Sequence, residues 1–165
     1  LDEIERLNLI LNNLSKSIPH IIKTNTIAEP YYLDKKFDYI VSNPPFKLDF
    51  SDFRDKLEKD SFKERFFAGI PNVPKNKKES MAIYLMFIQH IMYSLSPKGR
   101  AAVVVPTGFI TAQSGIEKKI REQLVERGWL RGDAQGLRAS LAGRSPADAR
   151  GTRRGSTRTP RSARA

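Results

Sequence analysis

The stretch FDYIVSNPPF, Phe37 to Phe46, drives an apolar, β-branched run straight into an asparagine, two prolines and a phenylalanine. The run reads as a buried strand, and its end is abrupt: the residue before a proline is biased to extended geometry, so Asn43 closes the strand. Two readings of the ending stand side by side. One is a plain asparagine-proline turn followed by a core phenylalanine. The other is a rigid cradle for a planar amino group. In the cradle, the Asn43 amide and the Pro44 carbonyl supply two acceptors. The prolines fix two φ angles so that both acceptors stay aimed, and Phe46 stacks on the base that carries the amino group.

Working outward, the elements on either side predict where this ending lies. Upstream, Leu1, Ile4, Leu7, Leu11, Leu14 and Ile18 recur at helical spacing, predicting an amphipathic helix ending near Pro19. HIIKTNTI is a short strand candidate. Downstream, Lys47 to Ser80 is polar and broken by Gly69, Pro71 and Pro74, a long active-face loop with one short helix around Phe53 to Phe66. ESMAIYLMFIQHIMYSL is apolar on most sides, as a helix between layers should be, with Met81, Met86 and Met92 as core packing and His90 as a core or helix-end residue. Pro97 and Gly99 are expected to stop it. RAAVVVP is a central strand, Ser114 and Glu117 have capping-box spacing, and a helix with Ile116, Ile120 and Leu124 inward is closed by Gly128.

Alternating helices and strands argue for an open α/β sheet with parallel strands. In such sheets ligands sit beyond the carboxyl ends of the strands. Asn43 and the Pro106-Thr107 pair both fall at that edge.

Composition bounds the rest. The 165 residues allow one domain with a real core. No apolar run is long enough to span a bilayer and no signal pattern opens the chain, so a cytoplasmic protein is expected. The chain starts at Leu1, which suggests a fragment. With no cysteine, disulfides, thiolate zinc sites and cysteine nucleophiles are excluded; two histidines, His20 and His90, leave little for a histidine-based metal site or triad, and no metal is expected.

The net charge of +11 is unevenly spread. From Arg131 onward nine arginines stand against Asp133 and Asp148, giving +7, and the first 130 residues carry 20 basic and 16 acidic groups, giving +4. Residues 131–165 contain no lysine, isoleucine, asparagine or aromatic residue, and only Leu137 and Leu141 are large and apolar. Such a segment cannot offset its own ordering entropy. A disordered basic tail, a frameshift, and a nucleic-acid-binding arm are the three readings of it. In the body, the basic loop PKNKKE offers Lys75, Lys77 and Lys78 either as a solvated face or as phosphate contacts.

SNPPF after a hydrophobic strand resembles the catalytic motif of S-adenosylmethionine-dependent N6-adenine DNA methyltransferases. The wider chain, with Gly69-Ile70-Pro71, Phe87-Ile88-Gln89-His90 and LSPKGRAAVVVPTGFI, looks like the modification subunit of type I restriction systems. The resemblance covers residues 1–130. It implies a Rossmann-like methyltransferase fold, of which this chain holds the C-terminal part of the sheet. It also implies direct methyl transfer to adenine N6 in DNA with no covalent intermediate, and specificity and restriction subunits as partners.

Carried over residue by residue, the resemblance gives Asn43, Pro44 and Phe46 the flipped adenine, and Pro45 the rigid turn. Asp38 is structural. Asn25, in Thr24-Asn25-Thr26, stands where the family has an acidic residue that contacts the cofactor's adenine. One departure is large: the family's glycine-rich cofactor turn has no counterpart, because the first glycine is Gly69. The isolated chain is therefore expected to be inactive. A protein-glutamine or ribosomal RNA amino-methyltransferase, and a non-catalytic remnant that binds DNA or a partner, remain as rivals.

Overall fold

FDYIVS forms strand β1 (Phe37–Ser42), and it runs parallel to strand β2 (Leu95–Val104). A parallel pair needs a crossover, and helix α3 (Tyr84–Ser94) supplies it. This computed structural model describes residues 3–59, 62–132 and 138–142. The other elements are helices α1 (Glu3–Leu11), α2 (Ser51–Arg54), α4 (Thr107–Thr111) and α5 (Gly115–Glu126), with strands β3 (Leu130–Gly132) and β4 (Arg138–Ala142). Short 3₁₀ turns occupy Ser15–His20, Asp55–Glu58 and Lys78–Ser80. The sheet order is β1-β2-β4-β3, with β4 antiparallel to both of its neighbours. The arrangement is a partial Rossmann-like fold. Among the described residues no helix is long and apolar enough to cross a membrane.

Among the described residues, one face of the sheet is covered and the other is bare. Ala101, Val103 and Val105 are buried beneath Leu85, Ile88 and Met92 of α3 and Ile120 and Leu124 of α5. The alternate residues Tyr39, Val41, Arg100, Ala102 and Val104 face solvent. This corrects the expectation that FDYIVS is a buried strand: among the described residues β1 lies at the sheet edge with one neighbour, and Val41 is 87% exposed. Asp38 is structural as read, its carboxylate accepting a 2.6 Å bond from the Ser96 hydroxyl of β2.

Several other boundaries differ, each for a local reason. The first helix stops at Leu11, not near Pro19. Asn13 turns left-handed at φ 57°, and the Asn13 and Leu14 amides reach back to Ile10 and Leu9 in a Schellman closure. HIIKTNTI makes no strand, because its polar side chains are spent on a local turn: Asn25 Oδ1 accepts the Ile27 and Ala28 amides, and the Thr24 hydroxyl donates to the Glu29 carbonyl.

The loop from Lys47 to Ser80 holds a second small core, since Phe50, Leu57 and Phe66 are buried with Ile27, Met81, Ile83 and Met86. Its single predicted helix is instead the short α2 and a 3₁₀ turn. Within it Arg65 is buried between Phe62 and Phe66, its guanidinium 4.9 and 4.2 Å from their ring centres.

Pro97 and Gly99 do not sit in a linker after the helix; α3 passes directly into β2 at Leu95. The pairing register jumps from Phe37↔Leu95 to Tyr39↔Arg100, so Pro97-Lys98-Gly99 bulge out of the ladder. Gly99 is required there, as a Cβ would lie 2.8 Å from the Phe37 carbonyl oxygen.

The predicted capping box at α5 is not made, for Ser114 caps with no side-chain bond. The C-terminus is as read. Gly128 adopts φ 63°, and the Gly128 and Trp129 amides bond Val125 and Leu124 in a second Schellman closure. Regular structure also passes the expected limit at Leu130. Leu130–Gly132 and Arg138–Ala142 extend the sheet, because pairing to the free edge of β2 satisfies backbone groups without large side chains. The remainder of the predicted tail lies outside the described residues.

Candidate active site

β1 delivers Asn43, Pro44, Pro45 and Phe46 beyond its carboxyl end, as the strand-to-proline transition requires. Pro44 is buried and anchors the turn, while Asn43, Pro45 and Phe46 are exposed. Among the described residues the Asn43 amide is committed to no partner. The exit from the turn is also held: the Leu48 amide donates to the Met81 carbonyl at 3.1 Å. The cradle residues are therefore presented outward on a fixed base.

Phe46 does not hang free. Its ring meets Tyr84 edge-on, with centres 6.3 Å apart, and Tyr84 meets Phe109 edge-on at 6.2 Å. Phe109 is buried in α4, the element that follows β2. This ladder ties the segment after β1 to the segment after β2 through α3. Burial first, then the negative charge and hydrogen bond of Glu117, push the Tyr84 phenol up to about 12. Arg121 fixes the far end by donating to the Phe109 and Ala112 carbonyls.

Tyr84 and Glu117 were not singled out from the sequence as site residues. Tyr84 looked like one more apolar helix position, and Glu117 looked like half of a capping box.

Asn25 and Pro45 come together. They line a cavity of about 440 Å³ with Thr24, Leu48, Phe53 and Phe87. The Asn25 carbonyl is occupied by its own turn, leaving only the amide nitrogen to face a ligand. This limits the cofactor contact expected of it.

The basic loop is exposed and close to the motif. Lys77 takes a left-handed conformation at φ 59° and starts the 3₁₀ turn Lys78–Ser80, which leads into Met81. The Asp49 carboxyl, three residues beyond Phe46, is held below its usual range by hydrogen bonds from the Ser51 amide and hydroxyl and by the charge of Lys78. Lys78 thus acts electrostatically on Asp49, while Lys75 and Lys77 are exposed on the same loop.

Two other stretches singled out in the sequence are joined by one side chain. Gln89, fully buried in α3, accepts the Ala68 amide at 2.9 Å and donates to the Gly69 and Leu85 carbonyls at 3.0 and 3.2 Å. It clasps the backbone entering Gly69-Ile70-Pro71. A lone amide in an otherwise apolar helix was the available signal. His90 beside it is largely buried, and desolvation, then the charges of Arg65 and Lys36, lower its pKa to about 4. It is neutral at pH 7, as a core histidine should be.

An α/β sheet presenting an Asn-Pro-Pro-aromatic turn at its carboxyl edge defines a Rossmann-like methyltransferase segment. Residues 2–132 match the family described as N-6 DNA Methylase, and the chain belongs to that family.

Among its relatives, the type I restriction enzyme MpnII methylase subunit of Mycoplasma pneumoniae is 31% identical over 134 residues, 76% of this chain and 23% of that protein. The HindI methylase subunit of Haemophilus influenzae is 30% identical over 101 residues, 61% of this chain and 20% of that protein. The crystal structure of a type I restriction-modification methyltransferase subunit from Streptococcus thermophilus superposes with a TM-score of 0.56 at 21% identity. It covers 86% of this chain and 31% of that one, and it supports the fold. The chain thus spans about a fifth of the length of the curated relatives it matches. Family membership implies a methyl donor as cofactor.

Proposed function

We propose that this chain is a catalytic segment of an adenine-N6 DNA methyltransferase of the type I restriction-modification kind, working in the cytoplasm with specificity and restriction subunits. The observation that carries the reading is the outward presentation of Asn43 on a buried Pro44, with Phe46 braced on Tyr84. Asn43 Oδ1 and the Pro44 carbonyl accept the two hydrogens of an adenine amino group. Binding both turns the nitrogen lone pair out of conjugation with the ring, a preorganised electrostatic effect. Phe46 stacks on the extruded base. Lys75, Lys77 and Lys78 meet the phosphates beside it. Residues up to Leu130 form the methyltransferase part, and residues 131–165 take no part in base recognition.

S-adenosylmethionine supplies the electrophilic methyl group when bound. The cavity shared by Thr24, Asn25, Pro45, Phe53 and Phe87 fits the flat adenine end of that cofactor, between apolar walls and a polar rim. The close backbone approach needed by its amino-acid end is not among the residues of this chain before Asn43, since no glycine precedes Gly69.

The test is to exchange residues Phe37 to Trp129, a part of the matched segment, into the Mycoplasma methylase subunit and measure single-turnover methylation of adenine. Asn43→Ala should lower the rate about 10²–10³-fold with an unchanged melting temperature. Loss of stability with an unchanged rate in the folded fraction is the outcome expected of a plain turn, and it would end this assignment.

A further inference from the structure

Phe46 lies on the segment that leaves β1, and 40% of its surface is exposed. An aromatic side chain free to rotate there would lose that freedom each time a base stacked on it, which weakens binding. Tyr84, in the first turn of α3, stands against the ring with centres 6.3 Å apart and planes at 73°. In an edge-to-face pair, whichever ring supplies the edge, at least one face of Phe46 stays open. The contact restrains the ring without occupying the surface that a base needs.

Tyr84 is in turn held from other sides. It is 6% exposed in the main core, and buried Phe109 meets it at 6.2 Å with planes at 88°. Its hydroxyl end feels the charges of Glu117 and Arg121 from α5. Glu117 is folded back over the start of its own helix: a Cβ on Gly115, which takes φ 78°, would lie 3.2 Å from the Glu117 carboxylate. Phe46 is thus the exposed end of a row of rings whose other members are buried.

We propose, resting on the reading of Phe46 as the stacking residue, that Tyr84 is a positioning residue: it sets the plane of Phe46 before a base arrives and touches neither base nor cofactor itself. A tyrosine that only fills the core leads to a different expectation. Its loss would lower stability and leave the behaviour of Phe46 in the folded fraction unchanged.

The test uses the full 165-residue chain with para-fluorophenylalanine in place of its nine phenylalanines, the Phe46 signal being assigned with Phe46→Leu. The ring current of Tyr84 should move that fluorine signal away from its position in the free amino acid. Tyr84→Met should return it toward the free position, and Tyr84→Phe should leave it where it is. In titrations with duplexes carrying an unpaired 2-aminopurine, Tyr84→Met should weaken binding about 3–10-fold, the expected effect of freeing one ordered side chain. Tyr84→Phe should restore it, and Tyr84→Met should add no loss to a chain that already carries Phe46→Ala.

A Phe46 signal at the free position in the unaltered chain would overturn the proposal, whether or not Tyr84→Met folds. An equal loss with and without Phe46→Ala would also overturn it, by marking a structural role. If Phe46→Ala binds the unpaired base as tightly as the unaltered chain, the stacking reading itself fails and takes the proposal with it. If Phe46→Ala weakens binding and Tyr84→Met does not, the positioning role alone is refuted.

Discussion

Gln89→Leu removes the clasp on the segment that enters Gly69-Ile70-Pro71 while nearly conserving side-chain volume. The magnitude follows from what is left behind. The Ala68 amide is buried and loses its 2.9 Å acceptor, so its desolvation becomes uncompensated. The Gly69 carbonyl is half-buried and can reach water, so its loss costs less. The Leu85 carbonyl belongs to α3 and keeps its helical bond. One stranded buried donor costs about 1–3 kcal/mol, and the partly wet acceptor brings the total to about 2–4 kcal/mol.

Urea or guanidinium unfolding followed by circular dichroism should show a lower midpoint with an unchanged slope. Amide exchange at Ala68 should accelerate more than exchange in β2. A midpoint shift worth less than about 0.5 kcal/mol, or a uniform change in exchange, would refute the clasp.

Burial of neutral His90 predicts an acid-sensitive fold. Its pKa is about 4 when folded and about 6.5 when unfolded, so the unfolded chain binds the extra proton. Stability should therefore be full above pH 6.5 and fall toward pH 4 by up to about 3 kcal/mol, a step that His90→Gln abolishes in melting-versus-pH curves. Gly99→Ala should destabilise by about 1–3 kcal/mol, because the added carbon collides with the Phe37 carbonyl, and the loss should appear in chemical denaturation. Ending the chain at Gly132 removes β4 from between β2 and β3. The melting temperature should fall by about 2–4 °C for each kcal/mol lost, whereas an unchanged value would deny β4 a place in the sheet.

What could be read from the residues was governed by range. The strand before Asn43, the inward stripe Ile120-Leu124 and the glycine stop at Gly128 depend on local rules, and all stand in the structure. The capping box is not made, since Ser114 leaves its side chain unbonded, and the charge of Glu117 acts on Tyr84 instead, a relation that spacing along the chain cannot reveal. FDYIVS looked buried because β-branched runs normally are, and its edge position depends on sheet order. The Lys47–Ser80 stretch looked like a polar loop because its few apolar residues, Phe50, Leu57 and Phe66, are diluted by charge. Their convergence with Met81 and Met86 is a tertiary event. β4 was the least legible, since its residues carry little strand preference and its pairing comes from the open flank of β2.

The central claim, that Asn43 to Phe46 receives an extruded adenine, is tested most directly by binding. Short duplexes with adenine or 2-aminopurine at an unpaired position, and their fully paired counterparts, would be titrated into the chain and read by anisotropy and 2-aminopurine fluorescence. A preference for the unpaired base is expected. Phe46→Ala should weaken it by an amount worth about 1–3 kcal/mol, while Phe46→Tyr and Phe46→Trp retain most of it and Asn43→Ala loses the preference for adenine over an analogue without the amino group. Equal affinity for paired and unpaired DNA, or a preference untouched by Phe46→Ala and Asn43→Ala in folded protein, would contradict the account.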